Sequence, residues 1–147
     1  MATAHPDTFA ALLGVAISRP APGCAEARLT VAAHHLNPHG TAHGALLYCV
    51  GGIALAAAAN DAAHSGVVSA VHIDYVAPAR MGDRLLARAD VVERLAREDL
   101  FAVRVVRLAV GPGGAGPGDG HGAGGDLVAR LTARATRRER TAPGAPR

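Results

Sequence analysis

From Gly44 to Ala59 every position is apolar, tyrosine or glycine, and the polar clusters lie outside this run. The pattern predicts a buried helix from about His43 to Ala63, ended by Gly66. The Ala42–Ala59 stretch approaches membrane-span length, but it is rich in Ala and Gly and follows a polar Gly/His loop, which favours a central helix instead. Upstream, His5-Pro6-Asp7 caps a short helix over Thr8–Leu13, with Phe9, Leu12 and Leu13 as its apolar side. Cys24–Ala33 alternates loosely through Ala25, Ala27, Leu29 and Val31 and reads as a strand.

Downstream of the helix the period becomes that of strands. Val67–Val76 is a second strand, stopped by Ala77-Pro78 and followed by a turn at Arg80-Met81-Gly82-Asp83. Arg84–Leu95 and Leu100–Val110 form two long strands joined at Ala96-Arg97-Glu98-Asp99. Arg84, Arg88, Asp90, Arg104 and Arg107 interrupt their apolar positions as a solvated face would. Residues 111–125, GPGGAGPGDGHGAGG, read as a flexible hairpin loop. They lack the GKS/T ending and following helix of a phosphate-binding loop. Asp126–Thr136 is the last strand, and 137–147 is expected to be a disordered basic tail, leaving one domain over 1–136.

The order is short helix, strand, long helix, then four strands. It predicts an α+β fold, an antiparallel sheet wrapped around one central helix. A single sheet leaves such a helix half covered. Self-association into a dimer or tetramer by edge pairing is therefore expected, with sites at the interface.

Composition narrows the function. Half of the 147 residues are apolar, enough for a core, and with only Phe9, Tyr48, Tyr75 and Phe101 aromatic the core must be Ala, Val and Leu. All fifteen basic residues are Arg, which suits bidentate contact to phosphate, although most are expected to be solvated surface groups. A net charge of +3 without a basic stripe interleaved with aromatics argues against nucleic acid. Cys24 and Cys49 are isolated thiols, which suggests a reducing compartment. The N-terminus has no signal-peptide pattern, and a soluble cytoplasmic protein is the expectation.

The candidate chemistry sits where the polar loop meets the long helix, HHLNPHGTAHGALLYCVGGIALAAAAN over 34–60. Such a junction offers free backbone N–H groups and the positive end of the helix dipole, which suits a developing oxyanion. His34, His35, His39 and His43 fall in ten residues. Pro38 and the absence of helix before His43 break the regular spacing a metal site would use, so no metal is expected. Cys49 lies mid-helix with no nearby cation to activate it and is expected to be inert.

These residues resemble the hotdog-fold thioesterases, specifically the PaaI-type branch of the 4-hydroxybenzoyl-CoA thioesterase-like superfamily. The family pattern L-N-x-x-G/Q-x-x-H-G-G is matched by Leu36-Asn37-Pro38-His39-Gly40-Thr41-Ala42-His43-Gly44-Ala45. The strand-Pro-x-x-x-Gly-Asp segment is matched by His72-Ile73-Asp74-Tyr75-Val76-Ala77-Pro78-Ala79-Arg80-Met81-Gly82-Asp83. The resemblance covers roughly Leu36 to Asp90. It implies hydrolysis of an acyl-CoA, aryl or medium-chain, or of an acyl-carrier thioester. It assigns Gly44 as backbone oxyanion donor, with His43 and Asn37 shaping the loop. Ala45, Tyr48, His72 and Arg80 become candidate substrate contacts, and Arg80, Arg84 and Arg88 candidate contacts to CoA phosphates. No metal or redox cofactor is implied, since CoA enters as part of the substrate.

In the family a helix carboxylate falls nine residues after the motif His, and here that position is Gly52, in Val50-Gly51-Gly52. Two mid-helix glycines cost roughly 1 kcal/mol each against Ala. Either room for a bulky acyl group or close approach of a partner's helix would compensate. His72 has a pKa range suited to a substitute base if its face meets the cleft. Asp61, about 13 Å further along the helix axis, cannot take the same spot. Asp74, Glu98 and Asp99 are expected to be structural or solvated. The alternatives are a thioester-binding protein without hydrolysis, an enzyme using another base such as His72, and a purely structural oligomer.

Overall fold

The structure, a computed structural model, describes residues 5–110 and 125–139. The Gly-rich stretch 111–124, expected to be a flexible loop, and the tail 140–147, expected to be disordered, lie outside the described residues. The elements are α1 (Thr8–Leu13), β1 (Ala16–Ala21), β2 (Cys24–Thr30), a 3-10 turn (Ala33–His35), α2 (Gly44–Ala58), β3 (His64–Tyr75), β4 (Arg84–Arg94), β5 (Glu98–Leu108) and β6 (Gly125–Glu139). All strand pairs are antiparallel, in one six-stranded sheet of order β1-β2-β4-β5-β6-β3. The α+β hotdog architecture expected from the sequence is the one found.

Alternation divides the sheet into two faces. Ala27, Ala87, Val103 and Leu131 point inward and are buried with α2, while Arg88, Arg104 and Arg130 alternate outward. The helix buries Val50 and Leu55 completely against this inner face. Each such side chain contributes roughly 1.5–3 kcal/mol. Gly51 permits the close approach, because a Cβ there would meet Leu131 Cδ1 at 2.8 Å. At α1, the Asp7 carboxylate accepts from the Ala10 N–H at 2.8 Å and Gly14 closes the helix at φ 78°.

Several boundaries differ from the sequence reading. The long helix ends at Ala58, not Ala63, because Asn60 and Asp61 take over its exit. The Asn60 amide donates to the Ala56 and Gly66 carbonyls, and Asp61 accepts from the N–H groups of Ala63 and His64. Gly66 lies inside β3, where a Cβ would come within 2.6 Å of the Ala59 carbonyl oxygen. The strand β1 was not expected. Its one charge and one proline (Arg19, Pro20) suit an edge strand but hide the period-2 pattern. Glu98 and Asp99 belong to β5 rather than a turn, and β6 extends through Arg137 and Arg138 to Glu139. Asp99 is buried and binds Arg94 at 2.8 Å and Arg137, which draws the last residues of β6 into the sheet.

Candidate active site

The polar loop before α2 folds around Asn37. Its side-chain oxygen accepts from the N–H groups of His39 (2.9 Å) and Thr41 (3.2 Å), and its amide donates to the Thr41 hydroxyl at 2.9 Å. Gly40 at φ 79° lets the chain reverse, and Leu36 bridges Ala42 across the turn. Asn37 is thereby committed to shaping the loop. His35 anchors the loop from behind: its Nδ1 accepts from the Ala32 N–H at 2.9 Å and its Nε2 donates to the Leu13 carbonyl at 3.1 Å. The His35 carbonyl in turn accepts from the His43 N–H at 2.9 Å, fixing where the helix begins.

His43 is the N-cap of α2. Its Nδ1 accepts from the Ala45 N–H at 3.0 Å, and its carbonyl accepts from Leu46 and Leu47. In the neutral ring Nε2 therefore carries the proton. Three of the four N–H groups of the first turn are thus occupied. Within that turn the Gly44 N–H alone has no acceptor among the described residues. Beside it stands Tyr75, whose hydroxyl donates to the Gly44 carbonyl at 3.1 Å. A Cβ on Gly44 would lie 3.3 Å from the Tyr75 ring. The sequence reading named Tyr75 only as an aromatic residue on a strand face. Its position two residues beyond Ile73, on the face that meets the helix, was the available signal.

Ala45, Tyr48, Cys49, Gly52 and Ala56 share the side of α2 that the sheet does not cover. A Cβ at Gly52 would meet no atom within 4 Å, in contrast to its neighbour Gly51. Burial raises the Cys49 pKa, so its thiol stays protonated. Cys24 lies away from α2, and burial together with its hydrogen bond to Asp90 pushes its pKa up to about 11.

Arg80 is exposed and adjacent to the loop through its bridge to Thr41, its own N–H bound by Asp83 at 2.8 Å. Arg84 is also exposed. Arg88 is not available as a phosphate contact, because Asp90 (3.0 Å) and Glu26 (3.2 Å) hold its guanidinium on the outer face.

His72 does not join this site within the chain. It lies on the opposite face of β3 from Tyr75, exposed, with Nε2 3.0 Å from Asp74. That hydrogen bond, and one from Arg130, hold the Asp74 carboxyl below the usual range. Burial acts to raise the Asp61 pKa, but the N–H groups of His64 and Ala63 and the His64 ring outweigh it and leave the pKa lowered. Asp61 is the turn after α2 and is ion-paired with Arg94 at 3.6 Å, far from its beginning. His34 packs its ring on His35 while His39 stays in the exposed turn, so the four histidines do not converge. Among the described residues no three His, Cys, Asp or Glu side chains group as metal ligands, and no helix is long and apolar enough to cross a membrane.

Comparison with known proteins bears on this geometry. A sequence profile described as the thioesterase superfamily matches residues 39–97. The chain is 33% identical over 100 residues to the acyl-coenzyme A thioesterase PaaI of Escherichia coli, covering 68% of this chain and 71% of that protein. The solved PaaI protein from the E. coli phenylacetic acid degradation operon superposes with a TM-score of 0.75 at 27% identity, covering 90% of this chain and 85% of that one. The TT0310 protein of Thermus thermophilus gives a TM-score of 0.75 at 33% identity, covering 90% and 98%.

Proposed function

The chain belongs to the thioesterase superfamily, in its PaaI-type hotdog branch, and from that premise we propose that it binds an acyl-CoA thioester at the start of α2 and hydrolyses it. The observation that carries this reading is the N–H of Gly44, which alone in the first helical turn has no acceptor among the described residues. A thioester carbonyl oxygen placed there accepts a hydrogen bond that strengthens as water attacks the carbon and charge moves onto oxygen. The C–S bond then breaks, giving the carboxylic acid and the CoA thiol. His43, with Nδ1 occupied, keeps Nε2–H as a donor beside the reacting group. Arg80 and Arg84, both without a carboxylate partner among the described residues, suit the phosphates of the CoA arm.

The site is completed at an interface in this reading. Among the described residues the outer edge of β3 is unpaired, and Val67, Tyr75 and Val76 are exposed along it and just beyond it. Pairing of this edge with a second copy would bring another helix beside the uncovered side of α2, where Gly52 leaves open space.

Gly52 also supports a second reading, a protein that holds the thioester without cleaving it. Among the described residues no carboxylate stands beside Gly44, and His72 faces away. Thiol release from a panel of aryl- and acyl-CoA esters separates the two, with Gly52→Asp run alongside. Turnover by the natural chain above the background rate supports hydrolysis. Saturable CoA-ester binding with turnover only in Gly52→Asp supports the binder. Absence of both binding and turnover in the two proteins would remove the thioester assignment.

A further inference from the structure

The sheet's outer face carries a row of charge that the thioester site does not use. Antiparallel register places Glu26, Arg88, Arg104, Arg130 and Asp74 directly opposite one another across β2, β4, β5, β6 and β3. Arg88 is held by Glu26 and Asp90, and Arg130 by Asp74 at 3.0 Å. Arg104, at the centre, is exposed and has no anionic partner among the described residues, although an arginine lies directly opposite it on each neighbouring strand. Arg134, on the same face, is likewise exposed and unpaired among the described residues. Like charges directly opposite on neighbouring strands oppose folding. Here carboxylates offset the charge of Arg88 and Arg130, and Arg104 is left as the uncompensated cation of the row.

We propose that the outer face, centred on Arg104, is a docking surface for an acidic polypeptide, one presenting clustered Asp and Glu side chains. Arginine forks match carboxylates bidentately. In the next row Ala102 and Thr132 are small, and Asp90, opposite Ala102, is tied to Arg88, so the guanidinium of Arg104 is the cation left to a partner. The carboxylates of Glu26 and Asp74 bound the cationic strip at both ends. A surface of mixed charge with an acidic centre complements that strip, whereas a uniform polyanion would run onto Asp74. None of the chain's four aromatic residues lies on this face for bases to stack on, which disfavours single-stranded nucleic acid. A second copy of the same face is disfavoured too, since a two-fold axis at Arg104 brings Arg88 over Arg130.

The test measures fluorescence anisotropy of a labelled helical peptide with Glu at i, i+3, i+4 spacing and Lys at each end. The same peptide with Gln for Glu and a labelled DNA duplex serve as comparisons. The Glu peptide is expected to bind with affinity that falls as salt rises, and Arg104→Gln to weaken it at least about fivefold. Arg97→Gln, in the β4–β5 turn, should leave binding unchanged. Arg104→Gln replaces an exposed side chain and should leave the melting temperature no lower than that of the natural chain, so weaker binding cannot be ascribed to misfolding. Equal binding of the Gln peptide, tighter binding of the duplex, or no effect of Arg104→Gln would each overturn the proposal. Loss of CoA-ester turnover has no bearing on it.

Discussion

Tyr75 stands over Gly44, its hydroxyl bonded to the Gly44 carbonyl at 3.1 Å and its ring filling the space a side chain there would need. The edge strand thereby clamps the first residue of α2 and leaves one face of its peptide N–H free. Gly44→Pro tests the role of that N–H. Proline is well suited to the first helical position, and His43 already has the extended backbone (φ −60°, ψ 136°) that precedes proline. The helix should therefore survive while the donor is lost. CoA-ester turnover is expected to drop by roughly 10²–10³-fold, or binding to weaken if the protein does not hydrolyse. Gly44→Ala retains the N–H, pressing only on the exposed Tyr75 ring, and should keep most of the signal. Equal activity in both variants would remove Gly44 N–H from the mechanism.

The two adjacent glycines of α2 differ in what surrounds them, and substitution should separate them. Gly51→Ala drives a methyl to 2.8 Å from the enclosed Leu131, an overpacking cost of about 1–3 kcal/mol. The gain in helix propensity, roughly 0.5–1 kcal/mol, offsets this only in part, so a net loss is expected in denaturant unfolding. Gly52→Ala meets nothing within 4 Å and gains helix propensity, so it should stabilise by roughly 0.5–1 kcal/mol. A destabilised Gly52→Ala whose oligomer dissociates would instead mean that a partner's helix occupies the open side.

This contrast also shows what the sequence could and could not convey. The long helix, its buried character and the succession of strands after it follow from hydrophobic period, while Gly44 and His43 are picked out at the loop-to-helix junction by the motif resemblance. The sequence does not reveal which of Gly51 and Gly52 faces the sheet, because both lie in a segment apolar on nearly every side. The strand β1 is obscured by Arg19 and Pro20, which an edge tolerates. Alternation put His72 opposite Ile73 and Tyr75, but only the packing of Tyr75 on Gly44 decides which face meets the helix. Arg88 looked available as a cation because its partner Glu26 is 62 residues away in the chain.

Asp99 is the most deeply enclosed carboxylate among the described residues, at 2% exposure, between Arg94 and Arg137. Asp99→Asn removes the charge but keeps the shape, leaving Arg137 facing a neutral amide and Arg94 with Asp61 as its remaining carboxylate. A loss of about 3–5 kcal/mol is expected at neutral pH, the range for breaking an enclosed pair by removing one partner, with the partly exposed Arg94 favouring its lower end. Urea titration of the variant reads this directly. A change below about 1 kcal/mol would mean that water screens the cluster as it does an ordinary surface pair.

His35 ties acid stability to the geometry of the site. Both ring nitrogens are used only in the neutral form: Nδ1 accepts from Ala32 and Nε2–H donates to Leu13. Burial, with a smaller contribution from the adjacent His34, lowers its pKa below the ordinary 6.5. The unfolded chain therefore takes up this proton before the folded one does. The contribution of His35 to stability is complete above pH 6.5, declines as pH falls below it, and is fully lost once pH passes the lower folded value. A protonated Nδ1 would direct a hydrogen at the Ala32 N–H and loosen the segment whose His35 carbonyl holds His43. Unfolding free energy measured from pH 8 to 5 should thus fall more steeply in the natural chain than in His35→Gln. The variant should be less stable at pH 8, where it lacks the paired imidazole, and the gap should narrow towards pH 5. Parallel curves for the two proteins would show that another group sets the acid limit.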